Sequence, residues 1–171
     1  MRTLIMSPER VERTLARLAH EVVERNRGGE ELVIFGIERS GVMVARALSR
    51  HIGSIEQGSF PVFSLNAKAF REDWIGPTRP AALSGQEVDV TGKHVLLVDD
   101  VLFSGRTARA ALDTIVRYGR PGSIQLVILI DRGGHREVPI QATYTGRRIP
   151  TKHKERVVVD AQADIAVYIE E

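Results

Sequence analysis

The sequence predicts an α/β fold, a three-layer sandwich with a mainly parallel central sheet. Two observations carry this expectation. Three short runs, LVIFGI (32–37), KHVLLV (93–98) and IQLVILI (124–130), are almost wholly apolar and do not alternate with polar residues, as in strands covered on both faces. Between them lie segments with apolar residues at helical spacing, so strands and helices alternate along the chain. The elements follow in order. Ser7-Pro8-Glu9 reads as a helix start, with a capping hydroxyl, a proline at the first position and an acid in the first turn. Val11, Leu15, Leu18 and Val22 then share one face, and the stretch from Asn26 to Gly29 ends the helix. After the first apolar run, ERSG (38–41) reads as a turn and VMVARALSRHI (42–52) as a helix. Residues 60–68 form a weaker strand. Residues 70–92 hold Gly76, Pro77, Pro80, Gly85 and Gly92 with little periodicity, and read as a long loop of the kind that serves as a lid or binding segment. Residues 107–118 make a helix with Ala108, Ala111, Leu112 and Ile115 inward, broken by GRPGS (119–123). Short strands return at 157–159 and 165–169.

The length, 171 residues, suits one domain over 1–171. A hydrophobic share of 43% against 27% charged is enough to build a core. No apolar run is long enough to span a membrane, and the N-terminus MRTLIMSPERVERTL holds no signal-like apolar region. The chain has no cysteine, which excludes a disulfide framework and a thiolate metal site and fits a cytoplasmic location. The net charge is +2 but unevenly spread. Residues 132–156 hold seven Arg and Lys against two acids, while the last fifteen residues hold four acids and no base. Such a basic segment suits either a phosphate-rich partner or a solvated loop.

The stretch DDVLFSGRT (99–107) carries the chemistry. In open α/β sheets ligands sit outside the carboxyl ends of the strands, and this loop and ERSG both lie there. Ser104, Gly105 and Thr107 precede a helix whose first N–H groups lack partners and whose dipole favours an anion. Gly105 lets the backbone approach a ligand closely. These residues form a phosphate cup. Asp99 and Asp100 would repel a phosphate and must face something else, and vicinal hydroxyls are natural partners for a carboxylate. A phosphate with a diol beside it describes a ribose 5-phosphate. The loop is neither G-x-x-x-x-G-K-S/T nor G-x-G-x-x-G.

VLLVDDVLFSGRT (95–107) resembles the phosphoribosyl diphosphate (PRPP) motif of type I phosphoribosyltransferases. RLAHEVVERNRG (17–28), GRPGSIQLVILIDRGGHREVPI (119–140) and GRRIPT (146–151) extend the resemblance to the PyrR family, pyrimidine operon attenuators that are also uracil phosphoribosyltransferases. The resemblance implies a type I phosphoribosyltransferase fold with a small hood. It implies the reaction of uracil with PRPP to give UMP and pyrophosphate, with Mg2+ held largely by substrate oxygens near Asp99 and Asp100 and no metal site made by protein alone. By the same resemblance, Asp99 and Asp100 hold the ribose hydroxyls. Val101, Leu102, Phe103, Ser104, Gly105, Arg106 and Thr107 line the 5-phosphate site. Glu38, Arg39, Ser40 and Gly41 match the pyrophosphate loop, and Arg71 matches the arginine of a lid over pyrophosphate. Ile130, Asp131 and Arg132 fall where the family recognises the base. The family also binds a hairpin in pyrimidine-operon leader RNA, favoured by UMP, and Arg25, Arg39, His135 and Arg147 match its RNA face. The relatives are dimers or higher oligomers.

The sequence departs from the family at several of these places. Glu38-Arg39-Ser40-Gly41 stands for the usual K-T-R-G, which puts an acid beside pyrophosphate. Phe70-Arg71-Glu72-Asp73 stands for Tyr-Arg-Asp-Asp, DRGGHRE has one glycine more than usual, and Gln141 replaces an arginine of the RNA face. Three functions therefore stay open: a uracil phosphoribosyltransferase of reduced rate, a nucleotide-sensing RNA regulator with little catalysis, and a phosphoribosyltransferase for another base. Of the histidines, His20 reads as a packed helix residue, and His51 and His153 as surface residues.

Overall fold

The structure is a computed structural model that describes residues 1–70 and 88–171. Strand β1 (Arg2–Met6) leads into helix α1 (Pro8–Asn26). Ser7 caps this helix as expected, its Oγ accepting from the Arg10 N–H, and Arg27 ends it in the left-handed region at φ 53°. Then come β2 (Leu32–Ile37), α2 (Ser40–Glu56), β3 (Val62–Leu65) and a single 3-10 turn at Ala67–Phe70. After the undescribed stretch, β4 (His94–Leu102) runs into α3 (Arg106–Ile115), a 3-10 turn at Val116–Tyr118, and β5 (Ser123–Asp131). Strands β6 (Tyr144–Arg148), β7 (Arg156–Asp160) and β8 (Ala166–Glu170) follow.

The strands form two sheets. The larger has five strands in the order β3-β2-β4-β5-β6, all parallel. The smaller is antiparallel, in the order β1-β8-β7. In the larger sheet successive residues point to opposite faces. Ile34, Leu96, Val98, Val127 and Leu129 pack with Val11, Leu15 and Leu18 of α1 and Val44, Leu48 and Ile52 of α2. Phe35, Ile37, Val95, Leu97 and Ile128 pack on the other face with Ala108, Ala111 and Ile115 of α3. This is the expected three-layer sandwich.

The chain steps from β2 outward to β3 and then back to β4 on the other side of β2. The loops after β2 and β4 therefore diverge at a switch point, the place where such sheets open a crevice.

Several elements differ from the expectation. Strand β4 does not stop at Val98 but continues through Asp99 and Asp100 to Leu102, pairing Asp99 with Ile128 and Leu102 with Asp131 of β5. The acids thus sit on a paired strand, which fixes them better than a loop would. Helix α3 ends at Ile115 rather than at 118. Strands β1 and β6 were not anticipated, since RTLIM lies beside the helix signal and YTGRR is short and polar. His20 is exposed, not packed.

One buried polar cluster seals α1 against β5 and β6. Gln125 Oε1 accepts from the Tyr144 hydroxyl at 2.6 Å and from Asn26 Nδ2 at 3.0 Å. Gln125 Nε2 donates to Asn26 Oδ1 at 2.8 Å and to Ser123 Oγ at 3.0 Å. Burial pushes the Tyr144 phenol up from its ordinary value, so it stays a donor. A satisfied cluster of this kind is costly to break because each orphaned group remains out of water. We expect Tyr144→Phe to cost about 1 kcal/mol and Gln125→Leu about 2–3 kcal/mol. Thermal unfolding should then show a drop of roughly 2–4 °C per kcal/mol. Equal, small shifts for both variants would show that the cluster is not load-sharing.

Candidate functional site

The site is built where β4 ends. Asp99 is only 8% exposed, and Asp100 is half-buried beside it. Asp99 Oδ1 accepts from the Asp100 N–H at 2.9 Å, and Asp100 Oδ1 from the Val101 N–H at 2.7 Å. Burial, and then the neighbouring Asp100 charge, raise the Asp99 carboxyl well above the usual carboxylate range.

The phosphate cup follows directly. Gly105 occupies the position before α3 with φ +89°, a conformation that disfavours any side chain, so the capping residue itself offers no side-chain acceptor. The Arg106 N–H donates to Ser104 Oγ at 3.3 Å. The Ser104 carbonyl accepts from Glu137 N–H at 2.9 Å and Val138 N–H at 3.3 Å, which ties the cup to the chain after β5. Asp99, Phe103, the four residues Ser104 to Thr107 and Glu137 line a cleft of about 530 Å³, within the size range of small-ligand sites. Val101 and Leu102 also border it, although the Leu102 side chain belongs to the core.

The second loop closes on the first. A Cβ at Gly41 would lie 3.0 Å from Asp99 Oδ1 and 2.9 Å from the Val98 carbonyl, so only glycine lets the first turn of α2 come this near to β4. Glu38, which sequence reasoning placed as an acid facing pyrophosphate, has a partner of its own. Its Oε1 accepts from Ser64 Oγ of β3 at 2.7 Å, and its N–H donates to the Leu65 carbonyl. Arg39 is exposed, and with Ser40 it borders a second cleft of about 500 Å³ shared with Val158 to Gln162 of the smaller sheet. Arg71 lies outside the described residues.

The segment expected at the base is held by contacts of its own. Ile130 is fully buried in the core. Asp131 Oδ1 accepts from Arg136 Nη2 at 2.6 Å and from the Gly133 N–H. Arg132 is buried, lies 4.0 Å from the Phe103 ring centroid, and donates to Thr151 Oγ1 and to the carbonyls of Lys152 and Glu155. His135 lies tilted against Phe103 and edge-on to His153, with centroids 5.1 and 5.7 Å away, and its Nε2 meets the Thr151 carbonyl. These four side chains brace the loop after β5 around Phe103.

The residues matched to an RNA face are spread out. Arg25 is exposed in the last turn of α1, 5.9 Å from the Tyr144 ring centroid. Arg147 is exposed on β6 and reaches the Ile5 carbonyl. Arg39 follows β2, which is separated from β6 by β4 and β5. Sequence reasoning missed Arg136, whose guanidinium also donates to the carbonyls of Phe103 and Ile140. It also missed Glu137 at the rim of the cup. Both stand in a charged run with no periodicity, and nothing in the sequence marks which way they face.

A strand-borne acid pair, a glycine-flanked phosphate cup and a second glycine loop at the switch point of a parallel sheet define a phosphoribosyltransferase-type site. The model of the phosphoribosyl transferase domain matches residues 5–163. The chain is 44% identical over 161 residues to the bifunctional protein PyrR of Clostridium kluyveri, covering 94% of this chain and 90% of that one. It is 42% identical over 160 residues to that of Clostridium novyi, covering 92% and 89%. Among solved structures it resembles the hypoxanthine phosphoribosyltransferase of Trypanosoma cruzi, with a TM-score of 0.76, 17% identity and 98% and 95% of the two chains covered. It also resembles a hypoxanthine-guanine phosphoribosyltransferase of Bacillus anthracis, with a TM-score of 0.74, 22% identity and 98% of each covered. The chain belongs to the PyrR family of phosphoribosyltransferases, and its fold is the type I phosphoribosyltransferase fold with a small second sheet.

The buried acid has a cost that can be measured. The folded-state carboxyl of Asp99 is raised above its unfolded value, so the folded protein holds the proton more tightly. Stability from this group is full below the unfolded carboxylate pKa and falls as pH rises through the folded one. We expect Asp99→Asn to unfold at a temperature a few degrees higher than the native chain at neutral pH, with the gap closing toward pH 4. Thermal scans across pH 4–8 would show it, and a lower Tm for the variant at pH 7 would contradict it.

Proposed function

We propose that the chain, working as one phosphoribosyltransferase domain over residues 1–171, transfers the phosphoribosyl group of PRPP to uracil, and that it regulates pyrimidine-operon transcription by binding leader RNA when UMP is bound. The observation that carries the catalytic reading is the contact of Gly41 with Asp99, which sets the loop after β2 against the acid pair and the phosphate cup. The bond from ribose C1 to the pyrophosphate oxygen breaks, the bond from C1 to uracil N1 forms, and N1 loses its proton. Asp99 and Asp100 hold the ribose hydroxyls, and Ser104 to Thr107 hold the 5-phosphate. Glu38 to Gly41 border the pyrophosphate, with Arg71 closing over it. Asp131 and Arg132 border the base, and the buried Ile130 supports them from behind. Catalysis is then mostly positioning and charge stabilisation.

The residues present fit a magnesium ion carried in with PRPP. Among the described residues no group of three His, Cys, Asp or Glu could cage a metal, whereas Mg2+ is commonly held by one or two carboxylates plus phosphate oxygens. Asp99 and Asp100 supply those carboxylates, and the ion would supply charge neutralisation on the leaving pyrophosphate. No described helix is long and apolar enough to cross a membrane, and the reading places the protein in the cytoplasm as a homodimer or higher oligomer.

Glu38 favours a second reading, a UMP-sensing RNA regulator with little turnover, because it leaves an acid where pyrophosphate would lie. One experiment separates the two. The pure protein is mixed with PRPP, Mg2+ and, in turn, uracil, hypoxanthine, guanine or orotate. UMP from uracil alone is the expected outcome, reduced about 10²-fold or more by Asp99→Asn with Asp100→Asn. A product from another base would overturn the base assignment, and UMP binding without turnover would favour the regulator. For RNA, affinity for a pyrimidine-leader hairpin should fall with salt, and Arg147→Ala should weaken it and flatten the salt slope. A scrambled hairpin bound equally well would remove the RNA reading.

A further inference from the structure

Among the described residues, Glu137 lines the cleft of the phosphate cup as a second carboxylate besides Asp99. Glu137 follows β5, and the 2.9 Å hydrogen bond from its N–H to the Ser104 carbonyl fixes it at the rim. Its side chain lines the same cleft as Ser104, Gly105, Arg106 and Thr107. Its Oε2 stands 2.7 Å from Arg106 Nε. The placement is enforced by packing, because Val138 and Ile140 lie 3.0 Å from where a Cβ on Gly105 would be. The adjacent Arg136 does not neutralise Glu137, since its guanidinium serves Asp131 and the carbonyls of Phe103 and Ile140.

We propose that Glu137 is an internal counter-anion that weakens the cup for any phosphate group entering it. The inference rests on the reading of this cup as the seat of the 5-phosphate. An incoming phosphate must either draw Arg106 away from the carboxylate or lie beside its charge. Inorganic phosphate has no other contact to offset that cost. A ribose 5-phosphate also reaches Asp99 and Asp100 with its diol, so it can occupy a cup from which free phosphate is turned away. The Glu137 side chain is 54% exposed, so solvent weakens its field and the effect is a modest factor rather than an absolute block.

The test compares the native chain with Glu137→Gln and Glu137→Asp, titrated with UMP and with inorganic phosphate in competition with UMP. Glu137→Gln keeps an oxygen for Arg106 and removes the charge. It should tighten both ligands about fivefold, as loss of one half-exposed charge predicts. Glu137→Asp keeps the charge and should stay near the native affinities. If Glu137 only held Arg106 in place, Glu137→Gln would bind phosphate no more tightly and the shorter Glu137→Asp more weakly, and that result would sink the inference. Unchanged affinity in Glu137→Gln would sink it too, while leaving the cup assignment intact. Failure of UMP to bind the native chain, or binding indifferent to Ser104→Ala with Thr107→Val, would remove the cup reading and this inference together.

Discussion

The rest of the site depends on the approach of the α2 N-terminus to Asp99. Strands β2 and β4 are neighbours in parallel register, Gly36 opposite Val98, so their carboxyl ends reach the same level. Two loops leaving at one level would collide or splay apart unless one of them lacked a side chain. Gly41 is that residue, with the Val98 carbonyl and Asp99 Oδ1 where its Cβ would stand. The contact seals Asp99 from water, which makes the ionised acid costly. It also brings the glycine loop after β2 against the strand that leads into the Ser104–Thr107 loop. Stability is lost here so that charged and hydroxylated ligand groups meet a prepared acid.

The second constraint is the bracing after β5. Arg136 ties the Phe103 carbonyl to Asp131 and Ile140, and Arg132 ties the Phe103 ring to the carbonyls of Lys152 and Glu155. The last residue before the cup is therefore held from both its backbone and its ring. Two of the seven bases that make this region look like a polyanion-binding segment are turned inward as staples. A count of charges along a chain cannot distinguish a guanidinium facing solvent from one that closes two carbonyls, because both cases need only the same residue type.

Much of the fold was legible in the sequence, and for clear physical reasons. The runs LVIFGI, HVLLV and IQLVILI are covered by helices on both faces of the sheet, so their apolar content is continuous. The turn into α3 was legible because Ser104, Gly105 and Thr107 mark a helix start. What was hidden depends on partners distant in sequence. β6 pairs with β5 through backbone, and its sequence YTGRR has no apolar signature. β1 is a strand only because β8 lies beside it. The acids were placed at a strand tip, yet pairing with β5 carries β4 past them. The partner of Glu38, a hydroxyl on β3, could not be inferred from Glu38 itself.

The smaller sheet has an implication for how the molecule is made. Its first strand, residues 2–6, pairs with residues 167–170, so the two halves of that ladder are separated by nearly the whole sequence. The five-stranded sheet is built from residues 32 to 148 and needs neither of them. During synthesis on a ribosome the parallel sheet can gather its strands one after another, while β1 waits as an unpaired edge with its backbone groups in water. Only when β8 emerges does that edge find its ladder, and the Arg2 guanidinium its Asp160 and Glu170 carboxylates. Closure of this sheet, which also walls the second cleft beside Arg39 and Ser40, therefore cannot precede the synthesis of β8.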